Sequence, residues 1–191
     1  YVPGVPIEDV IYENQEERNR VMSLLFELLL IEMFELRLVQ TDPNFANYRY
    51  DPESGQVVLL DFGASRRFKA AFTGAYLDLL KAVVVNNQDA MAEAANRIGY
   101  KLGTEPTPYR ETILQLATVV LAPLTRDEPY DFGASELPKQ AVAMAGDIQR
   151  YREFWEAPPV DVAYIHRKIA GLFMLATRLK AQVNVNELLM P

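Results

Sequence analysis

Three side chains before the middle of the chain have the types and spacing for phosphoryl chemistry. Asp42 and Asn47 stand five positions apart in Asp42-Pro-Asn-Phe-Ala-Asn47, and Asp61 opens Asp61-Phe-Gly63 after the apolar run Val57-Val-Leu-Leu60. Carboxylate and amide oxygens are hard donors, and Mg2+ takes one or two carboxylates together with waters and substrate phosphates. Asn47 and Asp61 therefore read as ligands of a Mg2+ that carries ATP. Asp42 reads as the group that orients or deprotonates a nucleophile attacking the γ-phosphate. The plain alternatives are a turn starter at Asp42-Pro43, a hairpin cap at Asn47 and a strand end at Asp61.

These residues can meet only if the chain folds back between them. Asn47-Tyr-Arg-Tyr50 and Gln56-Val-Val-Leu-Leu60 read as two short strands, with Asp51-Pro-Glu-Ser-Gly55 as the loop between them. Upstream, the pattern predicts one long helix from Gln15 to Val39, capped by Asn14, with Glu16 and Glu17 in its first turn. Its apolar residues, Val21 to Leu38, cover much of the circumference, which marks a buried central helix. Tyr1 to Pro6 is extended, because Pro3 and Pro6 fix φ and bias their predecessors away from helix. Downstream, helices are expected over Phe72–Val85, Gln88–Arg97, Tyr109–Leu121, Pro138–Arg150 and Val160–Ala181. The fold class is mainly α with one small β-hairpin, the only β structure expected.

The motif Asp61-Phe-Gly-Ala-Ser65 recurs as Asp131-Phe-Gly-Ala-Ser135. The second copy follows the polar stretch Thr125 to Tyr130, with no apolar strand and no D-x-x-x-x-N before it. It is expected to be a loop or a helix start. Only the first copy has the order that protein kinases use: a catalytic-loop Asp, a metal-binding Asn, then a DFG Asp.

Composition narrows the chemistry further. The 191 residues are 50% hydrophobic and 24% charged, with net charge −7, one histidine and no cysteine. Thiol catalysis, disulfide frameworks and multi-histidine metal sites are excluded. The acidic balance argues against a nucleic-acid partner. No apolar run is long enough to span a bilayer, since Glu27, Glu32, Glu35 and Arg37 interrupt the best one.

Gln40-Thr-Asp-Pro-Asn-Phe-Ala-Asn47 and Leu59-Leu-Asp-Phe-Gly-Ala-Ser-Arg66 together resemble the UbiB-type, or aarF-domain-containing, atypical kinases, nearer their coenzyme Q branch. Gly4-Val-Pro-Ile7, Tyr130-Asp-Phe-Gly133 and Ile165-His-Arg-Lys-Ile-Ala-Gly-Leu-Phe173 extend the resemblance across most of the chain. It implies a protein-kinase-like C-lobe over residues 1–191, with the catalytic loop, hairpin and DFG over 40–63. Asp42 would be catalytic, and Asn47 and Asp61 would bind metal and cofactor. The implied cofactors are Mg2+ and ATP, and the implied role is support of ubiquinone (coenzyme Q) biosynthesis. Implied partners are a small-molecule or lipid-like substrate, coenzyme Q biosynthetic proteins and a peripheral membrane contact. The implied location is the mitochondrial matrix against the inner membrane, or a bacterial cytoplasm. Gln40-Thr41 stands where ordinary kinases carry His-Arg, so control through a phosphorylated activation loop is not expected.

All six lysines follow Asp61, so none can be the strand lysine that clamps the α/β-phosphates. With Tyr1 in place of a starting methionine, the chain reads as a C-lobe cut near the hinge, and the isolated chain is expected to be inactive. The alternative reading is a non-catalytic helical scaffold, docking lipid or a partner, with a degenerate nucleotide site. Among the remaining residues, His166 is expected to hold a neighbouring loop. Arg66, Arg67 and Lys69 read as a solvated loop, with phosphate or an acidic lipid as the alternative. Tyr151, Phe154, Trp155 and Pro158-Pro159 read as inter-helix packing, with an exposed partner patch as the alternative. Ile169, Leu172, Phe173, Leu175, Ala176 and Leu179 read as core.

Overall fold

Asn14 starts the first helix as expected, its side chain accepting a hydrogen bond from the Glu17 amide at 2.9 Å. In the computed structural model, which describes residues 3–148, 151 and 158–189, helix α1 runs over Gln15–Leu30. Val21, Met22, Leu25, Phe26 and Leu29 are buried along it, so α1 is the central helix the pattern predicts. The helix does not continue to Val39. It widens into a π-helical turn over Ile31–Leu36 and ends at Arg37, whose φ of 52° is left-handed. Leu38–Gln40 then leaves as strand β2. The apolar pattern misleads here because Glu32 and Met33 are both buried on the widened turn, keeping a helix-like rhythm past the point where the backbone changes.

The expected hairpin is present. Strands β3 (Tyr48–Asp51) and β4 (Gln56–Leu59) pair antiparallel with Tyr48 opposite Leu59, and β1 (Val5–Pro6) adds to β3. It is not the only β structure. Strand β5 (Ser65–Arg67) pairs with β2, placing Gln40 opposite Ser65. Near the other end of the chain, β6 (Tyr130–Asp131) pairs with β7 (Gln182–Val183). Strands of two or three residues carry no readable alternation, so the sequence pattern misses them.

The remainder is helical. Helices α2 (Ala70–Val84) and α3 (Gln88–Ile98) pack on each other, with Asn87 capping α3 and Gly99 ending it at φ 118°. Helix α4 (Pro108–Val120) has Thr107 as cap and Pro108 in its first turn, where a missing N–H costs nothing. Helix α5 (Leu137–Ile148) follows. Helix α6 (Val160–Arg178) stops short of Ala181 because the chain turns through Lys180, at φ 50°, into β7. A short helix α7 (Val185–Leu189), not expected from the sequence, packs against α1.

The second DFG copy is structural. Phe132 is buried, stacks on Phe26 of α1 at 5.4 Å between centroids and meets Phe173 of α6 at 5.5 Å. Asp131 accepts from the Ala134 amide and from Gln182 Nε2, while Ser135 Oγ accepts from the Leu137 amide at the start of α5. Of the aromatic group around Trp155, Phe154 and Trp155 lie outside the described residues. On α6, Leu172, Leu175, Ala176 and Leu179 are buried and Ile169 and Phe173 pack on the core, as expected.

Two glycines in helices make a local contrast. A Cβ added at Gly74 in α2 would meet nothing within 4 Å. Gly74→Ala is expected to stabilise the chain by about 0.5–1 kcal/mol, read as a raised urea midpoint at unchanged slope.

Candidate active site

Two ladders bring the phosphoryl-chemistry residues together. The segment 41–47 joins β2 to β3, and the segment 60–64 joins β4 to β5. Because β2 pairs with β5 and β3 with β4, the two connecting segments lie side by side. Backbone bonds close both ends: Leu60 N–H donates to the Asn47 carbonyl at 2.9 Å, and Thr41 donates to the Ala64 carbonyl through its N–H at 3.2 Å and its Oγ1 at 2.8 Å. Asp42 and Asn47 sit on the first segment and Asp61 on the second.

The local geometry sets what each side chain offers. Asn47 Nδ2 donates to Asp42 Oδ2 at 2.9 Å, and Asp42 Oδ1 accepts from the Asn44 amide at 3.3 Å. With its amide nitrogen so engaged, Asn47 keeps its carbonyl Oδ1 without a hydrogen bond among the described residues. Asp61 is exposed; Oδ1 accepts the Gly63 N–H at 2.7 Å, which shapes the turn and leaves Oδ2 open to solvent. Phe62 beside it is 60% exposed, against 2% for Phe132 of the second copy. The same five letters thus form an exposed turn once and a core plug once. Among the described residues no group of three or more acidic or histidine side chains gathers as a metal cage. The donor set is instead one carboxylate and one amide, which suits a cation that keeps waters and phosphate oxygens. An open pocket of about 510 Å3 lies elsewhere, around Pro123, Arg126, Tyr130 and Ser135, and includes none of these three residues.

Helix α6 supports the Asp42 loop from one side. Arg167 Nη2 stands 3.6 Å from Asp42 Oδ1. Pro43 seats directly on Gly171, where an added Cβ would lie 2.5 Å from Pro43 Cβ. Arg66, read from sequence as a solvated loop residue, is bound instead: its guanidinium bridges to Asp161 at 2.7 Å and lies over the Tyr164 ring. Both partners are partly exposed, so Arg66→Ala is expected to cost at most about 1 kcal/mol, measurable as a small drop in melting temperature. His166 holds its surroundings, its Nε2 lying 3.3 Å from Tyr76 Oη and 3.1 Å from Tyr100 Oη. Although His166 keeps part of its surface in solvent, the protein around its ring partly desolvates the charged form and lowers the histidine's pKa.

Beneath the loop lies a group of residues that sequence reasoning missed. Lys168, 2% exposed, donates to Tyr48 Oη at 2.6 Å and Gln40 Oε1 at 3.5 Å, and pairs with buried Glu32 at 3.5 Å. Burial pushes the Glu32 carboxyl above its usual range, opposed by the Lys168 charge. The signal was present: Lys168 falls in register with Ile165, Leu172 and Leu175 on the buried stripe of α6, where a lysine needs a partner.

A D-x-x-x-x-N loop and a DFG segment held side by side, on a mainly helical body, define the catalytic-loop half of a protein-kinase-like fold. The chain is similar to a solved structure of Rv3197 with erythromycin from Mycobacterium tuberculosis at a TM-score of 0.73 and 19% identity, covering 100% of this chain and 48% of that one. The family model described as the ABC1 atypical kinase-like domain matches residues 1–95. The mitochondrial atypical kinase COQ8B of Rattus norvegicus is 33% identical over 97% of this chain and 35% of its own length. The mitochondrial atypical kinase COQ8 of Saccharomyces cerevisiae is 29% identical over 97% of this chain and 37% of its own length. The chain belongs to the ABC1/UbiB atypical kinase family, and it spans about a third of the length of these curated relatives. No helix among the described residues is long and apolar enough to cross a membrane.

Proposed function

We propose that residues 1–191 form the C-lobe of an atypical kinase or ATPase that binds Mg-ATP and supports ubiquinone biosynthesis. The observation that carries this reading is the side-by-side placement of 41–47 and 60–64, with Asn47 bonded to Asp42 and Asp61 on the neighbouring turn. Asn47, through its free Oδ1, and Asp61, through its open Oδ2, would hold the metal. Both are hard oxygens, and the bond from Asn47 Nδ2 to Asp42 fixes which end of the amide is available. Mg-ATP, when bound, supplies the transferable phosphoryl group and its charge neutralisation. Asp42 would accept or orient the proton of the attacking water or hydroxyl, with Arg167 and the Asn44 amide holding its Oδ1. Catalysis by these residues is positioning and electrostatics.

The wider reading rests on the family. Similarity to COQ8-type kinases supports a role in coenzyme Q production, a small-molecule or lipid-like substrate, and a place in the mitochondrial matrix against the inner membrane. No lysine precedes Asp61, so these residues supply the metal and catalytic-loop half of the site without the phosphate-clamping lysine. The 191-residue chain alone is therefore expected to melt at nearly the same temperature with and without Mg-ATP, because a ligand raises the melting point only if it binds the folded state. A clear rise would show that this half suffices for binding, against the incomplete-site reading.

A further inference from the structure

A lysine and a glutamate buried together are costly, since each loses its hydration, and their pairing seldom repays it in stability. Glu32 and Lys168 are 6% and 2% exposed, and Glu32 Oε2 and Gln40 Nε2 have no hydrogen-bond partner. An apolar pair of similar volume would fill the same space without two buried charges. What the charged pair does contact is specific. Lys168 donates to Tyr48, the residue after Asn47, and to Gln40, two residues before Asp42; Glu32 Oε1 accepts the Gln40 amide at 3.3 Å. Tyr48 Oη donates in turn to Gln40 Oε1 at 3.3 Å. The pair thus ties together the two ends of the segment that bears Asp42 and Asn47. The π-helical turn at Ile31–Leu36 carries Glu32 and helix α6 carries Lys168.

We propose that Glu32 and Lys168 are positioning residues that hold the Asp42–Asn47 loop in register through Gln40 and Tyr48. Neither touches the reacting atoms. Their effect rests on the functional reading above only for the turnover measurement.

The test uses the full-length protein in three forms: wild type, Tyr48→Phe, and the paired Glu32→Met with Lys168→Met. The paired change removes both charges together, because either alone strands the other in the core. Tyr48→Phe keeps the ring and removes only the hydroxyl. Both variants are expected to melt at or above the wild-type temperature, or within a few degrees below it. Amide exchange at Thr41 and Asn47 is expected to quicken about tenfold or more, while β3–β4 and α2 amides keep their wild-type rates. Mg-ATP turnover is expected to lose about tenfold or more in kcat, with a smaller change in KM, since a misplaced loop still binds but aims poorly. Unchanged exchange at Thr41 and Asn47 in a paired variant that melts like wild type overturns the proposal. So does wild-type kcat in that variant. If the wild-type protein turns over no Mg-ATP, the functional reading fails by itself, and the exchange rates alone decide the positioning role.

Discussion

Asp61→Asn in the full-length protein is expected to lower Mg-ATP turnover at least about a hundredfold while leaving the melting temperature nearly unchanged. The separation follows from how Asp61 is held. It is exposed, and its one hydrogen bond receives the Gly63 N–H on Oδ1 at 2.7 Å. An asparagine there can still offer a carbonyl oxygen to Gly63, so the turn between β4 and β5 keeps its shape. What disappears is the negative charge on the open Oδ2. On the proposed reading, a hard divalent cation held by the Asn47 amide and the Asp61 carboxylate would lose its only charged protein ligand. Loss of a stabilising interaction this exposed is worth well under about 1 kcal/mol to folding, but the same charge is worth far more to a metal-phosphate complex. Steady-state ATPase assay and thermal melting of the same preparation check both halves. Turnover within a few-fold of wild type sets aside the metal role of Asp61 and favours the scaffold reading.

Gly171→Ala is expected to harm the chain where Gly74→Ala helps it, although both glycines lie within helices. At Gly171 the new Cβ falls 2.5 Å from Pro43 Cβ, too close to be absorbed without movement. Pro43 is a stiff ring next to Asp42, so relief comes from shifting the loop or the helix. Overpacking of this kind costs about 1–3 kcal/mol. The larger consequence is displacement: a shift of about 1 Å at a reacting group can cost on the order of a hundredfold in rate. Gly171→Ala is therefore expected to lower kcat by more than its stability loss explains at a temperature where the protein is fully folded. Denaturant midpoints of both glycine variants, with kcat measured well below melting, decide it. Wild-type turnover in Gly171→Ala would show that the Pro43 seat does not set the position of Asp42.

The ordered parts of this fold were readable where the sequence carries a long period or a strong local signal. Helices α2 to α4 start and stop within about two residues of their patterns, because caps such as Asn87, Thr107 and Gly99 mark their ends chemically. The β3–β4 hairpin was visible from alternation and Asp51-Pro-Glu-Ser-Gly55. The strand β2 was not, because its three residues continue the apolar run of α1 and only a distant partner, Ser65–Arg67, makes them a strand. Two of the three site residues, Asp42 and Asn47, are joined by a hydrogen bond whose five-residue spacing the sequence shows. The support beneath them was hidden. Lys168 lies 128 residues from Gln40, and Gly171 is read as a packing position only when Pro43 is seen resting on it. The two DFG copies show the limit most plainly, since identical residues become a solvent-facing turn at Asp61 and a buried aromatic plug at Phe132, decided by what folds around them.

Calorimetric titration of ATP into the full-length protein, with Mg2+ and then with EDTA, tests the central claim most directly when wild type is compared with Asp61→Asn and Asp131→Asn. Magnesium is expected to tighten ATP binding to wild type and to Asp131→Asn alike, and to have little effect on Asp61→Asn. Magnesium-dependent tightening that survives in Asp61→Asn would contradict the assignment of the metal site to the first DFG segment.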